Sequence, residues 1–163
     1  CVNPSDDYAD GLVIEYFTYK QQIEDWNKLS IVEQLLRPAP KAPLVIKEDS
    51  STGIGQMFAK VAINAHNFAI TKNLIKESCY NADDWHDCRD VWNKLRENNK
   101  FAIKMMTLEM YHCADYIGVK SSLYNCSEKE IKGILSRYNG TSDDAIIYGT
   151  ECYEYYKIFK KYS

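Results

Sequence analysis

Residues 100–117 are the part of this chain that most constrains its fold. Ile103, Met106, Met110, Cys113 and Ile117 follow one another by three, four, three and four residues, the spacing of one face of an α-helix. Leu108, Tyr111 and Ala114 widen the stripe, so the helix Lys100–Ile117 reads as central and largely buried. Gly118 stands where a left-handed C-terminal cap belongs. A face this broad needs apolar partners, and the rest of the chain offers them mostly as further helices.

Tyr8–Trp26 carries Leu12, Tyr16, Tyr19, Ile23 and Trp26 at helical steps, although its run Leu12–Tyr19 also suits a strand. Asn3–Asp7 is polar and turn-like, and Ser30–Leu36 reads as a short helix. Pro38, Pro40 and Pro43 then force an extended connector. Leu44–Lys47 fits a strand or a helical turn, and Glu48–Gly55 a turn or tight hairpin. From Gln56 the period becomes helical, through Phe58, Ala62, Ala65 and Ala69. Asn81 is a suitable N-cap for a helix over 82–98, with Val91, Trp92 and Leu95 on its apolar side. Ser127-Glu128-Lys129-Glu130 is a capping box that opens a helix to about Tyr138, closed by Asn139-Gly140. Thr141 or Ser142 caps a last helix, expected to turn Ile147, Cys152, Tyr155, Tyr156 and Phe159 inward. The expectation is a single domain over 1–163, mainly α, with five to seven helices and at most a small hairpin near 44–55.

Bulk properties narrow the function. A net charge of −3 and a pI near 5.6 argue against nucleic acid, whose phosphates need a basic footprint. No apolar run approaches the ~18 residues of a membrane span. The 13 tyrosines and 3 tryptophans suit clefts that bind polar rings, because each side chain has a flat apolar face and a polar tip. Six cysteines occur without a Cys-x-x-Cys pair. Cys79, His86 and Cys88, with His112-Cys113 beyond, are spaced too loosely for zinc. Buried free thiols are the default for cysteines on apolar helix faces, and no metal or cofactor is expected. A chain that opens on Cys1 reads as an excised domain or a mature form, and a mature N-terminal Cys is also a lipoprotein feature.

Two stretches carry candidate chemistry. Glu48 and Asp49 stand directly before Ser50-Ser51-Thr52-Gly53-Ile54-Gly55-Gln56. A carboxyl group held against Ile46, Ile54 or Met57 would keep a proton at neutral pH, as a general acid must. Tyr138-Asn139-Gly140 offers a phenol and an amide suited to binding a sugar N-acetyl group or to orienting a carboxyl, although Asn-Gly also suits a plain helix C-cap. His66, His86 and His112 fall inside expected helices with no neighbouring nucleophile.

These stretches resemble a known family. Ser51-Thr52-Gly53-Ile54-Gly55-Gln56-Met57-Phe58 with its Ala-rich helix looks like the Gly-Leu-Met-Gln segment of lytic transglycosylases and goose-type lysozymes. Arg137-Tyr138-Asn139-Gly140, followed by Tyr148-Gly149, looks like that family's Ala-Tyr-Asn-Gly-Gly motif and last helix. Between them, Asn99–Gly118 is similar to the helix under the family's cleft. The resemblance implies a lysozyme-like fold and cleavage of the β-1,4 bond between N-acetylmuramic acid and N-acetylglucosamine in peptidoglycan. It also implies an extracytoplasmic or secreted, bacterial or phage protein. Gln56 and Tyr138 match cleft positions, with Asn139, Ser51 and Thr52 beside them as substrate-binding candidates. The family's Glu-Ser pair has no counterpart before Gly53. Glu48, with Asp49 beside it, is therefore the nearest candidate acid, Glu24 the alternative and Glu15 a distant third. That departure also favours a second class, a non-catalytic carbohydrate- or protein-binding module on a lysozyme-like scaffold. A helical regulatory or interaction domain without a cleft is a third.

Overall fold

The computed structural model describes residues 4–120 and 122–162. Among these, seven α-helices follow in order: α1 (Pro4–Asn27), α2 (Ile31–Leu36), α3 (Ala59–Thr71), α4 (Trp85–Glu97), α5 (Asn99–Tyr116), α6 (Glu128–Asn139) and α7 (Asp143–Tyr162). A 3₁₀ turn at Leu123–Asn125 precedes α6. The fold is mainly α, as the periodicities predicted. Residues 12–19 are helical, so the strand option falls, and helix α1 already begins at Pro4 within the segment expected to be a turn. Cys1 lies outside the described residues.

The chain divides into two compact units: Cys1–Asn64 with Tyr80–Ile103, and Ala65–Cys79 with Lys104–Ser163. Helices α3 and α5 each give residues to both.

In the first unit, α1 and α4 lie antiparallel. Phe17 meets Trp92 edge to face at 6.2 Å, Gln21 meets Arg89, and Glu24 meets His86; contacts descend α4 as they climb α1. The buried face of α1 is Val13 and Phe17, while Leu12, Tyr16, Tyr19, Ile23 and Trp26 are only partly covered. Cys88, Val91, Trp92 and Leu95 form the buried side of α4. Its cap is Asp84, which accepts from the His86 amide, rather than Asn81, whose side chain accepts from Asp83 within the preceding turn. Three N-terminal residues of the expected helix therefore stay outside it. Ser30 and Glu33 form a capping box on α2, and Trp26 Nε1 donates to the Arg37 carbonyl at the start of the proline connector.

Residues 44–47 are neither strand nor helix. The hairpin lies further on, as an isolated antiparallel bridge between Thr52 and Met57 around the loop 53–56. Gly53 and Gln56 take positive φ there, +67° and +45°. The buried face of α3 is set by Ala59, Ala62, Ile63, Ala65 and Ala69, with Phe58 left half-exposed before the helix starts.

The second unit packs α6 on α7 and the 104–116 part of α5. Cys113, Ala114 and Ile134 form a core that Met110, Val119, Leu123, Cys126 and Tyr138 cover. The Ser127–Glu130 capping box opens α6 as expected. Gly118 closes α5 at φ +78°, with Val119 N–H bonded to Ala114 O and Gly118 N–H to Asp115 O, the two bonds of a Schellman cap. The face of α5 differs from the expected stripe: Ala102, Met105, Leu108, Glu109 and Cys113 are buried and Ile103 is exposed. Helix α7 differs more. Ala145 and Gly149 form its buried line, while Ile147, Tyr155 and Phe159 are 57%, 64% and 75% exposed. Small residues are inward because α6 comes too close for large ones. A β-carbon at Gly149 would lie 2.6 Å from the Lys132 carbonyl oxygen.

Candidate functional site

The Gly-rich stretch is fastened into the first unit by one carboxylate. Asp10 on α1 accepts from Ser50 Oγ at 2.9 Å and Thr52 Oγ1 at 3.1 Å, with Arg96 Nε at 3.8 Å. Trp92 Nε1 donates to the Ser50 carbonyl at 3.2 Å. Thr52 is 3% exposed and its hydroxyl is committed to Asp10. Asp10 carries no sequence signal, because its partners lie some forty residues along the chain.

Of the four candidate acids, all in this unit, Glu15 faces solvent on α1 and the other three have different duties. Asp49 Oδ1 and Oδ2 accept from the amides of Ala59 and Lys60, each at 3.0 Å. It thus caps α3, where the helix dipole favours an anion. Burial nevertheless pushes its carboxyl above the usual aspartate value, against the pull of those amides and of Ser50's. Glu24 accepts from Lys28 at 2.7 Å and pairs with His86 at 2.8 Å. The Lys28 hydrogen bond holds its carboxyl below the usual range, the opposite of what a proton donor needs.

Glu48 lines a notch of about 50 Å³ with Tyr16, Phe17, Lys60, Asp83, Trp85 and Cys88 among its walls. Neither Glu24 nor Asp49 reaches it. Glu48 is paired with Lys60 at 3.6 Å, and its side chain is 58% exposed. The Tyr16 hydroxyl is raised above its ordinary range by burial, then by the Glu48 charge and a hydrogen bond to it. The notch thus joins a carboxylate, an ammonium and a phenol beside an indole. Asp83, the second residue of the helix expected over 82–98, is a second carboxyl in the wall.

Ser51 and Gln56 face solvent on the loop, with Ser51 Oγ 3.5 Å from Gln56 Oε1 and Gln56 Nε2 donating to the Gly53 carbonyl at 3.0 Å. The Gln56 amide therefore braces its own turn.

Tyr138 and Asn139 belong to the second unit, at the end of α6. Burial, with the nearby Tyr148 hydroxyl and the Glu109 and Cys113 groups, pushes the Tyr138 phenol up. Glu109, 9% exposed, is the acid the periodicity concealed, since it falls on the buried stripe of α5. It accepts from Cys113 Sγ at 3.3 Å and pairs with His112 Nδ1 at 3.0 Å. Burial, then the Glu109 charge, pushes the Cys113 thiol up to about 12, so this Cys, His and Glu cluster is no activated nucleophile.

No protein-family model, curated protein or solved structure matches the chain. Among the described residues, the five cysteines are free, and no group of three or more His, Cys, Asp or Glu is arranged to hold a metal ion. Among the described residues, no helix is long and apolar enough to cross a membrane.

Proposed function

We propose that the chain acts on the glycan strands of peptidoglycan, cleaving the N-acetylmuramic acid to N-acetylglucosamine β-1,4 bond with Glu48 as general acid and base. One observation carries this choice: of the four candidate acids, Glu48 lines a recess, while Asp49 caps a helix, the Lys28 hydrogen bond keeps the Glu24 carboxyl below the usual range and Glu15 faces solvent. In the protonated form Glu48 gives its proton to the leaving glycosidic oxygen. As carboxylate it then takes one from water, or from the sugar's own 6-hydroxyl as an anhydro ring closes. Tyr16, bonded to Glu48, orients the carboxyl. A site of action on the wall places the chain outside the cytoplasm.

A second reading, a glycan-binding module without turnover, is favoured by the Glu48–Lys60 pair. That pair already engages the carboxylate, and a notch of about 50 Å³ accepts a sugar substituent rather than a disaccharide. Clearing of cell-wall suspensions, with mass analysis of released fragments, separates the two. Clearing that drops about a thousandfold in Glu48→Gln and persists in Glu24→Gln supports catalysis by Glu48. Loss in Glu24→Gln alone moves the acid to Glu24. Wall binding without clearing, on walls of several types, supports the binding module.

A further inference from the structure

The first unit has a larger recess along the joint of α1 and α4, about 340 Å³ in volume. Ile14 and Phe17 form its apolar wall, and Thr18, Gln22, Arg89 and Asn93 contribute polar groups. Arg89 is partly buried and fixed from two sides. It donates through Nη1 to Gln21 Oε1 at 2.9 Å, and its guanidinium lies 4.6 Å from the centre of the Trp85 ring. Gln21 is itself held, because its Nε2 donates to Asp25 Oδ1 at 3.0 Å.

Among the described residues, no carboxylate pairs with Arg89. The acids nearest in sequence are engaged elsewhere, Asp90 with Lys94, Asp87 with the Asn81 amide and Asp84 with His86; on the facing helix Glu24 meets Lys28 and His86, and Asp25 meets Gln21 and Lys28. A guanidinium presents five N–H donors in a planar fork suited to a carboxylate. Here one arm meets a neutral amide, which positions the fork without neutralising it. A partly buried cation with no counter-charge is an expensive arrangement that an incoming anion relieves. Gln22 and Asn93 add amides able both to donate to and to accept from an acyl-amide group.

We infer that this groove is a carboxylate subsite for a small N-acyl sugar acid, with Arg89 gripping the carboxylate and Gln22 and Asn93 meeting the acyl amide. The class of ligand rests on the peptidoglycan reading above: N-acetylmuramic acid freed of its stem peptide, whose amide otherwise consumes the group, carries a lactyl carboxylate that N-acetylglucosamine lacks, on the same N-acetylated ring. Gln21 is a positioning residue.

The test is titration of the full chain with each of these two sugars, followed by NMR shifts or calorimetry. The acid is expected to bind about tenfold more tightly, the equivalent of one charge-assisted hydrogen bond. Arg89→Gln removes the preference. Arg89→Lys keeps part of it, through a point charge without the fork, and gives the answer if Arg89→Gln fails to fold by circular dichroism. Gln22→Ala weakens both sugars alike. Equal affinities, no binding of the acid at millimolar concentration, or a preference that survives both Arg89 substitutions would overturn the proposal. The readout is independent of turnover. Lost clearing with intact preference removes only the role of Glu48, and lost preference with intact clearing removes only this subsite.

Discussion

Gly53 lies directly against the carbonyl of Leu95: a β-carbon at position 53 would stand 2.0 Å from that oxygen. Its φ of +67° is also one that other residues rarely adopt. The glycine that the sequence places in a turn or tight hairpin is thus where the hairpin loop closes on the end of α4. Gly53→Ala combines a left-handed backbone penalty of about 1 kcal/mol with overpacking of about 1–3 kcal/mol. Urea unfolding should show a loss of about 2–4 kcal/mol; a loss under about 0.5 kcal/mol would mean that the loop relaxes away from α4.

Helix positions were legible wherever the signal is local. The Ser127–Glu130 capping box and the Gly118 cap each span one turn, and each appears where expected. Which face of a helix is buried depends on what packs on it, and that is not local. Helix α7 has large apolar residues on several sides, and only the closeness of α6 selects Ala145 and Gly149. For α5 the same reason brings Glu109 inward, where its carboxylate is satisfied by Cys113 and His112. In the candidate site, Glu48 was legible as an acid beside a glycine turn. Its ion pair with Lys60 and the anchoring of that turn by Asp10 were not, because both depend on chain segments brought together by folding.

Asp10 is the anchor whose removal should be felt furthest. Asp10→Ala leaves the buried hydroxyls of Ser50 and Thr52 without their acceptor, and an unsatisfied buried polar group costs about 1–3 kcal/mol. Asp10→Asn retains one acceptor oxygen and should lose less. Chemical unfolding measures both, and amide exchange should rise first at residues 50–57. Equal stabilities for the alanine variant and the wild type would show that water replaces the carboxylate.

Asp49 predicts a pH dependence of definite sign. Burial raises its folded pKa above the unfolded one, so folding favours the protonated form. Its contribution is fully present below the unfolded value of about 4 and is lost as pH rises through the higher folded value. Asp49→Asn removes this dependence while keeping one acceptor for the amides of Ala59 and Lys60. Between about pH 3.5 and 7, the wild type should lose stability relative to Asp49→Asn as pH rises. The opposite slope would mean that the two amides outweigh burial.

Gly11 and Gly149 make a matched pair, since both lie within helices and differ only in what surrounds them. A β-carbon at Gly11 meets nothing within 4 Å, whereas at Gly149 it would lie 2.1 Å from Ser136 Oγ, 2.6 Å from Lys132 O and 2.7 Å from Ser136 N. Helix propensity alone favours alanine by about 1 kcal/mol at either position. At Gly11 nothing opposes it, and Gly11→Ala should stabilise by about 0.5–1 kcal/mol. At Gly149 the Ser136 hydroxyl can rotate away, but the two backbone atoms cannot move without parting α6 from α7. Overpacking of about 1–3 kcal/mol therefore exceeds the propensity gain, and Gly149→Ala should destabilise. Thermal unfolding of the two variants should move the midpoint in opposite directions, and a rise in both would show that α6 and α7 are not in close contact at Gly149.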